Sequence, residues 1–253
     1  MEKQLREALK EEQFYVVFQP QYDCNLDYIR GFEVLTRWKS PAKGLIHPNE
    51  FFPVAEKTGL VVELGKWILE TALERFINIQ KKGCSGKKVA INISISQIIE
   101  PSFLSTVKNI LNGVGFEAGK LELEVTESIF VSYPGYVMDV LKQLNTMGIS
   151  ISLDDFGSGY APWSYLQNIP FEILKIDKKY IGNLQNEGNT AQIIEQLIIM
   201  AHQLGLEVLA EGVEQRRQLE ILKNINCDYF QGFLVGPPVV EEKIDKYITG
   251  ETV

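Results

Sequence analysis

The chain has 253 residues, is 45% hydrophobic and 23% charged, and carries a formal net charge of −8. This is the composition of an ordinary globular protein, and its acidity argues against a general DNA or RNA binder, which would present a basic face. Cys24, Cys84 and Cys227 form no CxxC pair and are odd in number, which argues against a zinc or disulfide framework and for a reducing, cytoplasmic setting.

Residues 1–12 read as a short polar helix, too charged for a signal peptide. No apolar run approaches the roughly 20 residues that span a membrane. Residues 14–18 read as a strand ending at Gln19 and Pro20, and residues 28–37 as the next, with Asn25 or Asp27 in the turn between them. Pro41, Gly44 and Pro48 mark a loop. Helices are expected over 48–57, closed by Gly59, and over 61–82, ended by Gly83. From there strand and helix alternate: strand 88–93, helix 101–112, strand 120–126, helix 134–147, strand 149–155, strand 171–176, helix 190–204, strand 206–210, helix 215–223, strand 228–230 and a closing helix over 241–248.

Alternation at this spacing means parallel strands with helical crossovers. About eight strands in a chain of this length favour a single (β/α)8 barrel over residues 1–253. The first connection is too short for a crossover helix, so the first two strands form a hairpin and one edge of the barrel is irregular.

Active sites of such barrels lie at the C-terminal strand ends. Here those ends carry Glu33 and Arg37, Asn92, Glu124 with Glu127 in the following loop, Asp154 and Asp155, Lys175 and Asp177, Glu211, and Gln231. Strand alternation sets Ser150, Ser152 and Asp154 opposite Ile149, Ile151 and Leu153. Two adjacent carboxylates at a strand end repel each other unless a cation or proton intervenes. Taken singly, each acid is more often a helix cap or a solvated charge, Lys175 a surface lysine and Asn92 a turn residue. The aligned set is an oxygen-only shell suited to Mg²⁺ or Mn²⁺. His47 and His202 are the only histidines, one expected in a solvated loop and one in a structural role, which argues against a His-based zinc or Ser-His-Asp site. The chemistry suited to the shell is hydrolysis of a phosphate ester by water that two cations activate, with Lys175 orienting that water and Arg37 gripping a phosphate.

Glu33-Val34-Leu35-Thr36-Arg37, Asn92-Ile93-Ser94, Glu124-Val125-Thr126-Glu127, Asp154-Asp155-Phe156-Gly157-Ser158-Gly159, Leu174-Lys175-Ile176-Asp177, Glu211-Gly212-Val213-Glu214 and Gln231-Gly232-Phe233 occur in that order. Together they resemble the EAL-domain family of cyclic di-GMP phosphodiesterases, from about Gln19 to Pro238. The resemblance implies a modified TIM barrel with an antiparallel first strand, and cleavage of cyclic di-GMP to pGpG with Mg²⁺ or Mn²⁺. By position it implies Glu33, Asn92, Glu124 and Asp154 as ligands of one metal, with Asp154 bridging to a second held by Asp155. Lys175 and Glu211 would serve the attacking water, Glu211 as the base. Gln19, Leu35, Arg37 and Gln231 would line the dinucleotide, with Glu214 a weaker candidate. Glu127 and Asp177 would couple the loop over residues 156–160, and with it a homodimer, to the metals. Regulatory domains outside this chain are compatible with the resemblance. The family's Glu-Ala-Leu is Glu-Val-Leu here, and Val34 alternates away from the Glu33 face, so a small packing change is expected.

Three functions compete. An active phosphodiesterase keeps all its ligands, as here. A degenerate binding module that senses cyclic di-GMP would have lost some. A barrel enzyme with another substrate explains the acidic shell but not the full motif set.

Overall fold

In a computed structural model the described residues are 1–26, 28–130, 134–156, 169–184 and 189–248. Nine strands form one sheet: β1 (Phe14–Asp23), β2 (Ile29–Ser40), β3 (Gly44–Ile46), β4 (Lys88–Asn92), β5 (Leu121–Thr126), β6 (Ser150–Phe156), β7 (Phe171–Ile176), β8 (Glu207–Glu211) and β9 (Tyr229–Gln231). Their order is β1-β9-β8-β7-β6-β5-β4-β2-β3, and the β1–β2 pairing closes the first eight into a barrel. Strands β2 and β4 to β9 run parallel, whereas β1 is antiparallel to both neighbours. The expected barrel with its inverted first strand is what the chain forms.

The hairpin differs from expectation at both ends. β1 runs past Pro20 to Asp23. Pro20 lies between the Phe18–Val239 bridge and the β9 pairing that starts at Gln21, so its missing N–H breaks no ladder bond. The turn is organised by Asp23, whose carboxylate accepts from the Asn25 N–H at 3.0 Å and the Tyr28 N–H at 2.8 Å. Asp27 lies outside the described residues. The expected loop near Gly44 contains β3, which extends the hairpin by pairing with β2. The closing helix is instead two short turns, Glu241–Lys243 and Asp245–Ile248.

Most of the core lies between strands and helices. The Leu60–Ile79 helix shows why: Leu64, Ile68, Leu69, Ala72, Phe76 and Ile79 recur at helical spacing and are all buried. Beside it, Phe14, Trp38, Phe51 and Trp67 pack with ring centroids 5.5–5.9 Å apart. Such pairs add about 0.5–1.5 kcal/mol each beyond area burial. A separate small cluster, Ile173, Leu209 and Tyr229, shares the face of Lys175, Glu211 and Gln231 and so fills the barrel interior. Few apolar residues point inward, and the interior is mostly polar.

Candidate active site

The inward positions at the C-terminal strand ends bring the acids together. Lys175, fully buried on β7, is the hub. Its Nζ lies 2.7 Å from Glu124 Oε2, 2.7 Å from Glu211 Oε1, 3.5 Å from Asp154 Oδ1 and 3.9 Å from Glu33 Oε2. It is not the surface lysine its sequence position alone suggests. Asn92 Nδ2 donates to Glu33 Oε1 at 2.9 Å and to Glu124 Oε2 at 3.0 Å. Gln231 Nε2 donates to Gln19 Oε1 at 3.0 Å and also to Glu33 Oε2.

Local sequence explains each placement. Asn92 ends β4, and the turn after it is pinned by a capping box. The Ser94 N–H donates to Gln97 Oε1 at 3.0 Å, and the Gln97 N–H donates back to Ser94 Oγ at 3.4 Å. Gln97 lies against Gly65, where a Cβ would stand 2.0 Å from its Nε2, so a larger residue there would displace the Gln97 amide.

Asp155 is where simple alternation fails. A regular strand would turn it away from Asp154. Instead its φ is +55°, in the left-handed region, and the β6–β7 register slips between Leu153 and Phe156. The bulge keeps both acids on one side: carboxylate oxygens of Asp154, Asp155 and Glu211 lie within 4.8 Å of one another. Backbone strain of this kind costs about 1–3 kcal/mol and concentrates at functional sites.

The electrostatics follow from five carboxylates around one ammonium. Burial disfavours charge on Lys175, but Asp154, Glu124, Glu211 and Glu33 more than offset it and hold the ammonium protonated far above the usual range. Burial pushes Glu124 well up, against the pull of Lys175. Glu211 is pushed up to about 8 by burial, opposed by Lys175, with Asp154 and Glu33 adding repulsion. Asp155 rises to about 6 through burial, the charge of Asp154 and a hydrogen bond with Asp177. Asp177 also caps the Lys178–Ile181 turn, accepting from the Lys179 N–H at 2.6 Å. Glu124 Oε1 is buried and has no hydrogen-bond partner among the described residues. A buried carboxylate oxygen without a donor is costly. An orphaned acceptor in an all-oxygen, excess-negative cluster fits a divalent cation.

A cavity of about 360 Å³ opens beside the acids, lined by Leu35, Asn92, Asp154 and Asp155 on the barrel side and by Pro48, Asn49 and Phe52 on the other. The helix start at Pro48 was legible in the sequence, but nothing there marked it as a wall of the site. Arg37 is half-buried, donates to the Thr36 carbonyl at 2.9 Å and forms no ion pair among the described residues.

The family model for the EAL domain matches residues 2–238. The chain belongs to the EAL domain family. YkoW, a signaling protein of Bacillus subtilis, is 38% identical over 244 residues, covering 96% of this chain and 30% of YkoW. MucR of Pseudomonas aeruginosa, a bifunctional diguanylate cyclase/cyclic di-GMP phosphodiesterase, is 37% identical over 240 residues, covering 95% of this chain and 35% of MucR. The chain therefore spans about a third of the length of these relatives. The PaMucR phosphodiesterase in complex with c-di-GMP superposes with a TM-score of 0.92 at 36% identity, covering 96% of this EAL domain and 98% of that chain.

Within this EAL domain, Gln19, Glu33, Asn92, Glu124, Asp154, Asp155, Lys175, Glu211 and Gln231 meet in one network, with Leu35 on the adjoining cavity wall. Glu214 does not join it. It is exposed, and its N–H donates to Gln218 Oε1 at 2.8 Å. Glu127 is buried just after β5. The loop it was expected to hold lies, from residue 157 on, outside the described residues. The two histidines stand apart from the acids. His47 is the exposed N-cap of the Pro48–Thr58 helix, and His202 Nε2 lies 2.8 Å from Asp228 Oδ2. Val34 is buried on the core side of β2, as alternation required. Among the described residues no helix is long and apolar enough to cross a membrane.

Proposed function

We propose that this EAL domain hydrolyses cyclic di-GMP to linear pGpG with two divalent cations, Mg²⁺ or Mn²⁺. The observation that carries this is the intact donor set around Lys175, together with the unpartnered Glu124 oxygen. The bound cations would acidify water and stabilise the departing oxygen. Glu33, Asn92, Glu124 and Asp154 would hold the first cation, and Asp154 and Asp155 the second.

Lys175 stays an ammonium throughout and orients the attacking water while offsetting charge that develops on the phosphate. Glu211, 2.7 Å from Lys175, takes the proton of that water. Arg37, which forms no ion pair among the described residues, forks onto a phosphate oxygen. Gln19, Leu35 and Gln231 position the dinucleotide. The domain works in the cytoplasm as a homodimer, with Glu127 and Asp177 linking the dimer contact to the acids. The nearness of Asp177 to Asp155, whose pKa it helps raise, supports that link.

The test is direct. Purified protein with Mg²⁺ or Mn²⁺ converts cyclic di-GMP to pGpG, and Glu33→Ala abolishes turnover. Tight binding with no linear product in either metal overturns the enzyme in favour of a sensor module.

A further inference from the structure

The hairpin rises past the barrel rim, and there the outer edge of β1 is unpaired at Phe14 and Val16, which are 6% and 7% exposed. Two bonds set the hydrogen-bonding parity of β1. The Lys39 N–H donates to the Gln13 carbonyl at 2.9 Å, so odd-numbered residues bond to β2. Phe18 exchanges bonds of 2.7 and 2.9 Å with Val239 on the opposite side, so even-numbered residues face away from β2. Phe14 and Val16 therefore direct their N–H and C=O groups outward, and no partner among the described residues receives them. At Phe18 the same edge already takes up an extended segment of this chain.

Exposed edges are normally blunted by lysine, proline or a bulge. The stretch Phe14-Tyr15-Val16-Val17-Phe18 has none of these before Pro20. Beside it runs a groove of about 470 Å³, with Phe14, Val16 and Trp67 on its floor and Glu12, Glu74, Glu241 and Glu242 around it. Arg75, the one cation among its lining residues, is already 3.3 Å from Glu241, and Lys82 Nζ donates to the Glu241 carbonyl at 3.4 Å while pairing with Asp245. The rim thus carries an excess of negative charge over an apolar floor.

We infer that this edge is a docking site for an extended, lysine- or arginine-bearing segment of a partner protein, which adds a strand to β1 beside Phe14 and Val16. Backbone bonds supply the grip, alternate apolar side chains meet Phe14 and Trp67, and basic side chains meet the glutamates. A second copy of this chain is disfavoured because it would bring the same acids face to face.

The probe is a fluorescein-labelled peptide alternating valine and lysine, added to the full chain in Mg²⁺ and followed by anisotropy and by Trp67 fluorescence. Binding with a Kd on the order of 10 μM is expected. A valine–glutamate peptide should fail to bind. Val16→Pro removes one outward N–H without touching a β2 bond and should weaken binding about tenfold. Glu74→Lys with Glu242→Lys leaves the backbone intact and should also weaken it about tenfold, with the remaining affinity less sensitive to salt. The inference is overturned if the valine–lysine peptide does not bind, if the glutamate peptide binds equally, or if both sets of variants bind as the parent does. A dimer that dissociates on Val16→Pro would make a second copy the occupant and overturn it too.

Discussion

The barrel interior has two polar layers, and they are built on opposite plans. In the lower layer the chain supplies its own counter-charges. Arg30 bonds to Glu122 and to Gln21, the latter at 2.9 Å, and stacks 5.1 Å from the Tyr229 ring. Lys88 bonds to Glu172 at 2.9 Å, and Ser150 to the same carboxylate at 2.8 Å. Burial works against charge on Glu172, yet these partners hold its acidity stronger than usual. In the upper layer four carboxylates lie within 3.9 Å of Lys175 with Asp155 beside them, and Glu211 and Asp155 are pushed up to about 8 and about 6. The lesson is that one fold can balance its charges internally at one end, though Glu122 Oε1 and Gln21 Nε2 there still lack a hydrogen-bond partner among the described residues, and leave an excess of negative charge at the other. The end with that excess is where a foreign cation gains most.

The largest effect should come from breaking the lower layer. Arg30→Met leaves Glu122 buried without its partner and should destabilise the fold by about 3–5 kcal/mol, measured by denaturant unfolding. Adding Glu122→Leu should recover most of that. If the single variant is as stable as the parent, the lower layer is not held by this pair.

Next is Lys175→Ala in the upper layer. Its loss falls on the transition state, so kcat should drop about 10²–10³-fold while KM changes much less. Equal losses in binding and turnover would contradict the contrast drawn here.

The pH response should distinguish the layers more finely. Without cations, Glu211 and Asp155 have folded pKa values of about 8 and about 6, above their unfolded values. A raised pKa contributes stability below the unfolded value that is lost as pH rises through the folded one. The cation-free protein should therefore lose Tm as pH rises through 6 to 8, and Mg²⁺ or Mn²⁺ should reverse the loss. Metal affinity, measured by calorimetry, should rise over the same interval because each cation displaces protons, and flatten above about 8. A Tm that rises with pH in the absence of metal would show that these acids do not repel one another.

The smallest effect is at Val34. Val34→Ala restores the commoner family residue but empties space on the core side, and should cost about 1.5 kcal/mol with turnover unchanged.

Much of this was legible in the chain itself, because strand and helix periodicities are local and seven ordered motifs mark the strand ends. The barrel, the hairpin at its start, Val34 facing the core and the polar residues at the ends of β2, β4, β5, β6 and β8 followed from alternation and spacing, whereas their separate roles were implied by the family resemblance. Tertiary structure alone decided the rest. Alternation has no term for a bulge, so Asp155 turning toward Asp154 at φ +55° could not be read from it. Burial depends on what the other strands bring, so Lys175 reads as a surface lysine until four acids close around it. Glu214 follows Glu211 by three residues, yet Gly212 at φ +68° turns the chain outward and leaves it exposed. The sequence determines which side chains stand at strand ends. Closure of the barrel determines which of them share one charge balance, because Coulomb energies depend on distances that only the closed sheet sets.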